Sequence, residues 1–433
     1  MHTSAPAESY YRATMPQRRI VHAPLRGRSQ ARVCVIGGGF AGVNTALGLV
    51  ERGVRDVVLL ESAQIGQGAS GRNGGFVFGG FSRGEAALLG ELGEASARAL
   101  YAGTTAAVEL IRSRVDRYAI DCDRCESGVI WANWFRDPEV LLGRQRLLAR
   151  HFGVDWQWLP EAELRRQILT ERYHDGLFEP RAFHFHPLKY VDGLAQAVVD
   201  AGAAIHEHSP ATSLRRSGGG WRVGTPDGEI EAGQLVLACG GYLAGLRASV
   251  DAAVMPIATY AMVTEPLQDR MRDILRTPAA VYDTRFAFDY YRPLPDTRLL
   301  WGGRISVRDR SPREVQRLLY HDLMKVFPQL EGVGIDYAWS GLMSYARHQM
   351  PQIGQVEPGL WLAQAFGGHG VAPTTFGGEL IAAAIAEGDD GWRALARYPV
   401  VSTFKPAGFV GAQLGYWWAQ ARDSWKAARE ARG

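Results

Sequence analysis

We expect an α/β fold in which a parallel sheet covered by helices is interleaved with an antiparallel sheet, and three observations predict it. A strand, a glycine-rich turn and a helix follow one another between Arg32 and Glu61. Two later blocks, which begin near Pro187 and Leu360, again alternate helices with buried apolar strands. Residues 254–304 instead contain several short, aromatic-rich strands separated by turns. Alternating helices and strands predict a parallel sheet, whereas a run of short strands predicts an antiparallel one.

The first block carries a nucleotide-binding signature. Its strand ends in Gly37-Gly38-Gly39-Phe40-Ala41-Gly42, which matches G-x-G-x-x-G. We expect Gly37 to allow the tight turn, Gly39 to let backbone approach a pyrophosphate, and Gly42 to bring the helix close to the sheet. The free N–H groups of the helix start attract phosphates. Glu61, nineteen residues beyond Gly42, lies where an acid bonds an adenosine ribose. The motif alone does not separate NAD from FAD.

The composition is that of an ordinary globular protein. Of the 433 residues, 46% are hydrophobic and 21% are charged, and the net charge is +3. This small charge gives no reason to expect nucleic acid or an acidic membrane surface as a partner. We find no apolar run long enough for a membrane span and no secretory signal pattern, so we expect a cytoplasmic protein.

The four cysteines predict neither a metal site nor a redox pair. Cys34 and Cys239 lie in apolar strands, where cysteine usually behaves as a small hydrophobic residue. Cys122 and Cys125 form a C-x-x-C, but the sequence offers no second pair and no H-x-x-x-H to complete four ligands. We treat both as ordinary residues and expect no bound metal.

Hydrophobic periodicity and turn residues place the remaining elements. We expect residues 1–30 to form an extended arm laid over the fold. The predicted helices are 85–118 (one or two), 139–151, 189–201, 311–327 and 374–387. The predicted strands are 128–132, a hairpin over 221–230 with a Pro-Asp-Gly turn, 235–241 returning to the first sheet, 335–347 and 360–365.

The chain resembles the D-amino-acid oxidase-like (DAO) superfamily of FAD-dependent oxidoreductases, and within it the branch that contains γ-glutamylputrescine oxidase. The order and spacing of its motifs match over nearly all of residues 9–423. The matching segments are 68–75 (the signature loop after the fingerprint), 184–188, 235–242, 264–267, 282–285, 300–304 and 366–370 (the C-terminal flavin loop).

This resemblance implies a Rossmann-type FAD-binding domain of the glutathione-reductase-like kind, interleaved with a substrate domain of antiparallel β-sheet plus helices. We expect a discontinuous FAD-binding domain over 31–84, 187–247 and 345–390. The substrate domain would comprise 118–186 and 248–344, with 1–30 as an N-terminal arm and 391–433 as a C-terminal extension.

The resemblance and the loop chemistry together give the expected FAD contacts. Arg72 and Asn73 can donate hydrogen bonds to flavin oxygens or phosphate, although Arg72 can also be a surface arginine in a glycine loop. His369 can donate to the flavin, or it can cap its loop by bonding to backbone. The expected set is Gly37, Gly39, Phe40, Ala41, Gly42, Glu61, Ser62, Gly68, Ala69, Ser70, Arg72, Asn73, Gly74, Ala211, Cys239, Gly240, Gly367, Gly368, His369 and Gly370.

Departures from relatives predict non-covalent FAD and an amine substrate. Sarcosine oxidase-like members attach flavin through a cysteine, but residues 342–351 contain none. Other relatives attach it through a histidine where this chain has Gly71-Arg72. Sarcosine oxidase-like members also grip the substrate carboxylate with a lysine where this chain has Ala372. The substitution argues against an α-carboxylate held in that way and mildly favours an amine or polyamine.

The expected reaction is the two-electron oxidation of an amine, γ-glutamylputrescine-like or another amine or amino acid. Hydride passes from the amine C–H to flavin N5, the imine hydrolyses to an aldehyde, and O2 is reduced to H2O2. Tyr290 could orient the amine, Arg292 could meet a distant carboxylate, and His369 completes the catalytic set. Strand alternation over 286–292 puts Phe286, Phe288, Tyr290 and Arg292 on one face. The alternative is a sheet packed on a helix, with Arg292 at its rim.

Three other functions remain open at this point. The first is an amine or amino-acid dehydrogenase of the same fold that passes electrons to a carrier instead of O2. The second is an FAD/NADPH monooxygenase, although the late G-D motif of those enzymes matches only Gly388-Asp389, after the last predicted helix. The third is a non-catalytic flavin-binding scaffold, which the intact fingerprint and both flavin loops disfavour.

Overall fold

A computed structural model describes residues 9–16 and 21–430. Parts of the predicted arm (1–8 and 17–20) and of the predicted C-terminal extension (431–433) lie outside the described residues. The α-helices are α1 Tyr10–Ala13, α2 Phe40–Glu51, α3 Glu85–Leu92, α4 Glu94–Arg117, α5 Glu139–Leu147, α6 Glu161–Gln167, α7 Pro187–Asp200, α8 Ala248–Ala252, α9 Pro312–Val326, α10 Val371–Glu387 and α11 Ala407–Glu430. A π-helical turn, Leu148–Phe152, continues α5.

The strands form two large sheets and one small ribbon. They are β1 Gly27–Ile36, β2 Val57–Leu60, β3 Phe76–Val77, β4 Val129–Ala132, β5 Gln157–Leu159, β6 Gly176–Glu179, β7 Phe183–His184, β8 Ala204–His206, β9 Ser213–Ser217, β10 Gly220–Gly224, β11 Gly228–Leu237, β12 Met255–Thr264, β13 Ala280–Asp283, β14 Tyr290–Pro293, β15 Leu299–Ser306, β16 Ile335–Tyr345, β17 Gln352–Glu357, β18 Leu360–Gln364 and β19 Phe366–Gly367. The predicted helices and strands therefore exist, with shifted ends.

The first sheet has the strand order β17-β18-β11-β1-β2-β8. The strands from β18 to β8 run parallel, and β11 pairs with β1 along its length, from Gly27 opposite Gly228 to Ile36 opposite Leu237. The prediction that 235–241 returns to the first sheet is thus confirmed. Because β8, β2, β1 and β11 are consecutive neighbours, their carboxyl ends meet at one edge, where nucleotides bind in such sheets.

The second sheet is almost entirely antiparallel and has the order β19-β16-β12-β15-β14-β13-β4-β6-β5. Side chains of β12 alternate between its two faces. Tyr260 and Met262 pack in a core with Leu319 of α9, whereas Ala261 and Val263 belong to the core shared with the first sheet. The face of the second sheet that carries Ala261 and Val263 therefore packs towards the first sheet and the loops at the ends of its parallel strands.

Within the described part of the predicted arm, residues 10–13 are helical and not extended. Tyr10–Ala13 forms one helical turn, and the hydroxyl of Ser9 accepts a hydrogen bond from the Arg12 N–H, as an N-cap does. Tyr10 and Tyr11 are buried, and the Tyr11 ring lies 5.5 Å from that of Trp339. Burial of these two aromatic rings in the main core is the physical reason for the difference.

At the other end of the chain, α11 carries exposed tryptophans at 417, 418 and 425. It contacts the loop between β13 and β14, where the Asp423 carboxylate accepts a hydrogen bond from the Phe286 N–H at 2.7 Å. Over residues 9–16 and 21–430, no helix is both long and apolar enough to cross a membrane.

The close approach of α2 to β1 gives a first testable prediction. A methyl group on Gly42 would lie 1.9 Å from the Gly37 carbonyl oxygen, so Gly42→Ala must push the helix from the strand. We expect a loss of about 3 kcal/mol in the free energy of unfolding, measured by urea denaturation. The matched control is Gly143→Ala in α5, where a methyl group meets open space. That variant should gain about 0.5–1 kcal/mol, and equal effects at both positions would contradict the prediction.

Candidate functional site

The glycine-rich turn between β1 and α2 forms a cradle at the edge of the parallel sheet. Gly37 has a φ of 114°, and a methyl group there would lie 2.5 Å from the Ala238 carbonyl oxygen. At Gly39 a methyl group would meet only the Ser70 side chain, at 2.9 Å. Gly39 caps α2 without any side-chain hydrogen bond, so this helix start keeps N–H groups for an anion.

The acid at the end of β2 lies against this turn. One oxygen of Glu61 accepts a hydrogen bond from the Gly38 N–H at 2.7 Å. Its other oxygen accepts from the Ser62 hydroxyl at 3.0 Å and from the Ala63 N–H at 2.9 Å. A carboxylate oxygen has two lone pairs, so Glu61 keeps acceptor capacity for a ribose hydroxyl.

The signature loop, residues 68–75, is held mainly by its own side chains. The Ser70 hydroxyl accepts from the Phe40 N–H at 2.8 Å. Arg72 donates to the carbonyls of Gln67 and Ser340, at 3.0 and 3.1 Å. Asn73 donates to two carbonyls of the loop, the shorter at 2.8 Å, and accepts from Gly75. These contacts make Arg72 and Asn73 loop-forming residues, a role that we had not predicted for Asn73.

The remaining expected nucleotide contacts lie at neighbouring strand ends. Cys239 and Gly240 directly follow β11, and Ala211 lies in the connection after β8. The Cys239 thiol donates to the Ile36 carbonyl at 3.4 Å, and burial raises its pKa to about 12. Gly240 has a φ of 55°, which favours glycine.

The C-terminal flavin loop, residues 366–370, leads into α10, whose start again has no side-chain cap. The ring Nε2 of His369 bonds the Gly79 carbonyl at 2.8 Å, and its backbone N–H donates to Ser82 at 3.3 Å. Burial lowers the pKa of His369 to about 4, so the ring is neutral and Nε2 is the donor. The backbone-bonding alternative for His369 is therefore the arrangement in this structure. The starts of α2 and α10, neither of which has a side-chain cap, suit the two ends of one dinucleotide.

The prediction that Phe286, Phe288, Tyr290 and Arg292 share one face of a strand is wrong for the two phenylalanines. Strand β14 begins only at Tyr290, and Phe286 and Phe288 are 42% and 41% exposed. The reason is that the Arg285 guanidinium pairs with both Asp283 and Asp289, which folds the segment between them into a hairpin loop.

Arg292 is neither at the rim nor free to meet a substrate carboxylate. It is 1% exposed and donates to the carbonyls of Gly74 at 2.7 Å and Phe185 at 2.8 Å. It also bonds the Tyr11 hydroxyl at 3.2 Å and lies 3.4 Å from His184 Nδ1. Its N–H groups thus bind other parts of the fold, so the structure does not place Arg292 as the substrate contact that we expected.

Tyr290 does lie on the face that looks towards the signature loop. A methyl group on Gly74 would meet its ring at 2.7 Å, and its ring covers Gly302 on the neighbouring strand. Register places Tyr290 in a row of side chains that crosses five strands of the second sheet. The row runs Trp131, Tyr282, Tyr290, Gly302 and Ala261.

The segment after the signature loop packs aromatic rings against this row. The Phe78 ring stacks on Tyr282 at 5.7 Å and meets the His369 ring edge-on at 4.3 Å. Tyr282 in turn stacks on Trp131 at 5.6 Å. The row therefore forms an aromatic wall that starts beside the two loops and leads away from them.

A charged cluster lies at the far end of this wall, and sequence reasoning missed it. Arg144 pairs with Glu85 at 2.8 Å, and its guanidinium lies 4.4 Å from the Trp131 ring. Glu179, on β6, is half-buried, and burial raises its pKa to about 8 despite the opposing effect of Arg144. A methyl group on Gly80 would lie 3.3 Å from a Glu85 oxygen and 3.7 Å from His369 Nε2, so the cluster adjoins the C-terminal flavin loop. No local motif marks these residues.

Nothing in the described residues resembles a metal site, since no three His, Cys, Asp or Glu side chains are grouped to hold an ion. Cys122 is buried, and neither it nor Cys125 forms a disulfide. The candidate site comprises the cradle at the glycine-rich turn, an aromatic wall and a charged cluster.

Comparison with known proteins agrees with this geometry. The family model described as "DAO: FAD dependent oxidoreductase" matches residues 32–384. The chain is 34% identical to the gamma-glutamylputrescine oxidoreductase of Escherichia coli K12, over 92% of this chain and 93% of that protein. It is 33% identical to "Probable oxidoreductase OrdL" of Haemophilus influenzae, over 85% of each. The crystal structure of glycine oxidase from Geobacillus kaustophilus superposes with a TM-score of 0.70, at 22% identity, over 86% of this chain and 98% of that one.

The role of Arg292 can be tested through stability. Arg292→Met removes the donors of two carbonyls that the fold buries, and we expect a loss of about 3 kcal/mol in the free energy of unfolding by urea denaturation. Arg308→Met, at an exposed arginine just after β15, is the control and should change stability by less than about 0.5 kcal/mol. If Arg292→Met kept full stability and instead only weakened substrate binding, Arg292 would be a substrate residue after all.

Proposed function

Because the chain belongs to the DAO family of FAD-dependent oxidoreductases, we propose that it oxidises an amine to an imine and passes the electrons to O2. When bound, FAD supplies the two-electron oxidation of the carbon–nitrogen bond. The imine then reacts with water to give an aldehyde and ammonia, or an amine where the nitrogen is substituted, and O2 takes up two electrons and two protons to give H2O2. The substrate class that we propose is a γ-glutamylputrescine-like amine, in line with the relative of that name.

The residues present fit FAD. The turn at Gly37–Gly42 would hold the pyrophosphate, with Glu61 on the ribose. The N–H groups around Gly368 and at the start of α10 would face the flavin carbonyls. Cys239, Gly240 and Ala211, at the ends of β11 and β8, would line the adenosine part.

The aromatic wall is the observation that carries the proposal. Phe78, Tyr282 and Tyr290 present aromatic rings beside both loops, Phe78 against His369 of the C-terminal flavin loop and Tyr290 against Gly74 of the signature loop. Such a surface orients an amine and excludes water, and both conditions favour hydride transfer from the neutral amine. No strong acid or base is required for that step. Tyr290 is the residue that we propose to contact the amine.

The same region disfavours an α-amino acid held by a carboxylate close to the reacting carbon. Ala372 is buried and apolar, and the Arg292 guanidinium is occupied by carbonyls. His369 is neutral because burial lowers its pKa to about 4. None of these three positions offers a cation to such a carboxylate.

We propose that FAD is held without a covalent bond. The Cys239 thiol is near the expected site, but burial raises its pKa to about 12, so it is a poor nucleophile at neutral pH. Acid precipitation of the purified protein should therefore release the yellow colour into the supernatant, as measured by absorbance. Colour that stays in the pellet would reveal a covalent link.

Amine oxidation is tested by mixing the holoenzyme anaerobically with primary, secondary and cyclic amines, amino acids and γ-glutamylputrescine. We expect amines to bleach the flavin band, and readmitted air should restore it with formation of one H2O2 per amine consumed. Bleaching that air reverses slowly and a quinone reverses rapidly would identify a dehydrogenase. Bleaching by NADPH alone would identify a monooxygenase.

A further inference from the structure

We propose that Glu179, with Arg144 beside it, binds the charged far end of the substrate, and that this end carries a primary ammonium group. The inference rests on the proposed function, because it assigns the second end of an amine whose first end is oxidised beside Tyr290. It goes further by naming the substrate as a long molecule with two nitrogen-bearing ends.

The first argument is the unpaired carboxylate. Register pairs Glu179 with Val129, and the side chain two residues earlier, Leu177, opposes Trp131, so Glu179 shares the face of the aromatic wall. In the part of the chain described, no side chain hydrogen-bonds to or ion-pairs with the Glu179 carboxylate. A half-buried acid without a partner is costly, and a cationic ligand group would remove that cost.

The second argument is the arrangement of Arg144. Glu85 pairs with it at 2.8 Å, and the rings of Trp131 and Trp156 lie 4.4 and 5.5 Å from its guanidinium carbon. These contacts hold its charge in place and balance it with Glu85. The cluster therefore carries one negative charge when Glu179 is ionised, which suits a ligand cation. The Nε of Arg144 is buried without a partner, so this guanidinium has donor capacity left.

The third argument is the path between the two ends. Trp131, Tyr282 and Phe78 stack in a continuous series from the charged cluster to His369. Aromatic faces attract ammonium groups and pack well against methylene chains. The path thus suits an alkyl amine with a cation at its far end.

The fourth argument is length. Glu179 lies on β6 and Tyr290 on β14, which are separated by β4 and β13. Tyr290 is in register with Leu177 of β6, two residues before Glu179, so three strand spacings across the sheet and this offset along it give about 16 Å between the two positions. A free diamine with a long chain and an amine extended by a γ-glutamyl group can both span such a gap, and both end in a primary ammonium. The second also carries a carboxylate, for which Arg144 is the available partner.

The test uses the holoenzyme and two amines of equal length, 1-aminoheptane and 1,7-diaminoheptane, together with γ-glutamylputrescine. Anaerobic flavin reduction at increasing amine concentration separates the dissociation constant from the limiting rate. In Glu179→Gln we expect the dissociation constants of the two amines with a far ammonium to rise about 10- to 100-fold, with nearly unchanged limiting rates. The monoamine should bind as before.

Glu163→Gln, at an exposed glutamate of α6, is the matched control and should change none of these values. Glu179→Asp keeps the charge and should retain part of the discrimination, which guards against a variant that fails to fold. Equal effects of Glu179→Gln on the monoamine and the diamine would overturn the proposal while leaving amine oxidation intact.

If no amine reduced the flavin, the proposed function would fail, but the subsite would still be tested. Calorimetric binding of 1,7-diaminoheptane to the wild-type protein, lost in Glu179→Gln, would support it, and absence of binding to the wild type would overturn it. Arg144→Lys, which keeps the ion pair with Glu85, distinguishes a ligand whose far end is an ammonium alone from one that also carries a carboxylate there. If Arg144 binds that carboxylate, the variant should weaken the binding of γ-glutamylputrescine and leave that of 1,7-diaminoheptane unchanged.

The number of protons released when the diamine binds distinguishes a ligand-binding role of Glu179 from a purely structural one. The groups facing Glu179 are Arg144, Glu85, Tyr101 and Tyr282. Because burial raises the pKa of Glu179 to about 8, the acid is mostly protonated at pH 7, and an ammonium ligand favours its ionised form. Diamine binding at pH 7, measured in two buffers of different ionisation enthalpy, should release more protons in wild type than in Glu179→Gln, by up to about one per site. Equal release by both proteins would contradict the assignment.

Discussion

A buried guanidinium, that of Arg292, fixes how the two layers of the molecule meet. It joins β14 of the antiparallel sheet to the Gly74 carbonyl of the signature loop and to the Phe185 carbonyl before α7. Among the described residues no carboxylate pairs with it, so only neutral dipoles solvate the charge. Such a charge is stable only when all of its bonds form together. The flavin loop and the aromatic wall therefore hold a fixed relative position, with Tyr290 two residues from the anchor.

Much of the parallel layer could be predicted from the sequence because its signals are local. A strand, the turn at Gly37–Gly42 and the acid at Glu61 follow one another along the chain, and each has one physical reason to be where it is. The antiparallel layer was harder, because alternation alone does not show where a strand begins. The segment before Tyr290 has strand-like alternation, but the ion pairs of Arg285 with Asp283 and Asp289 fold it into a loop.

The charged cluster could not be predicted at all, for a related reason. Glu85, Arg144 and Glu179 come from α3, α5 and β6, and each looks like an ordinary surface residue in its own segment. Only the packing of the second sheet against these helices brings them together beside Trp131. Residues that bind the variable part of a substrate have no common motif, whereas residues that bind a shared cofactor do.

Under the proposed function, the distance between the Glu179 carboxylate and the reacting amine suits the site to a substrate with two nitrogen-bearing ends. A carboxylate beside the reacting nitrogen would stabilise its ammonium form and so oppose oxidation, which requires the neutral amine. Around the flavin loops no net charge is left for the substrate: His369 is uncharged, Ala372 is apolar, the Arg292 charge is occupied, and the nearby Glu85 and Arg144 balance each other. Glu179 lies about 16 Å from Tyr290 across the sheet, a distance at which its charge can hold one nitrogen with little effect on the pKa of the other. Under the proposed function, an acid at the end of the aromatic wall would bind a cationic group without opposing oxidation of a neutral amine beside Tyr290.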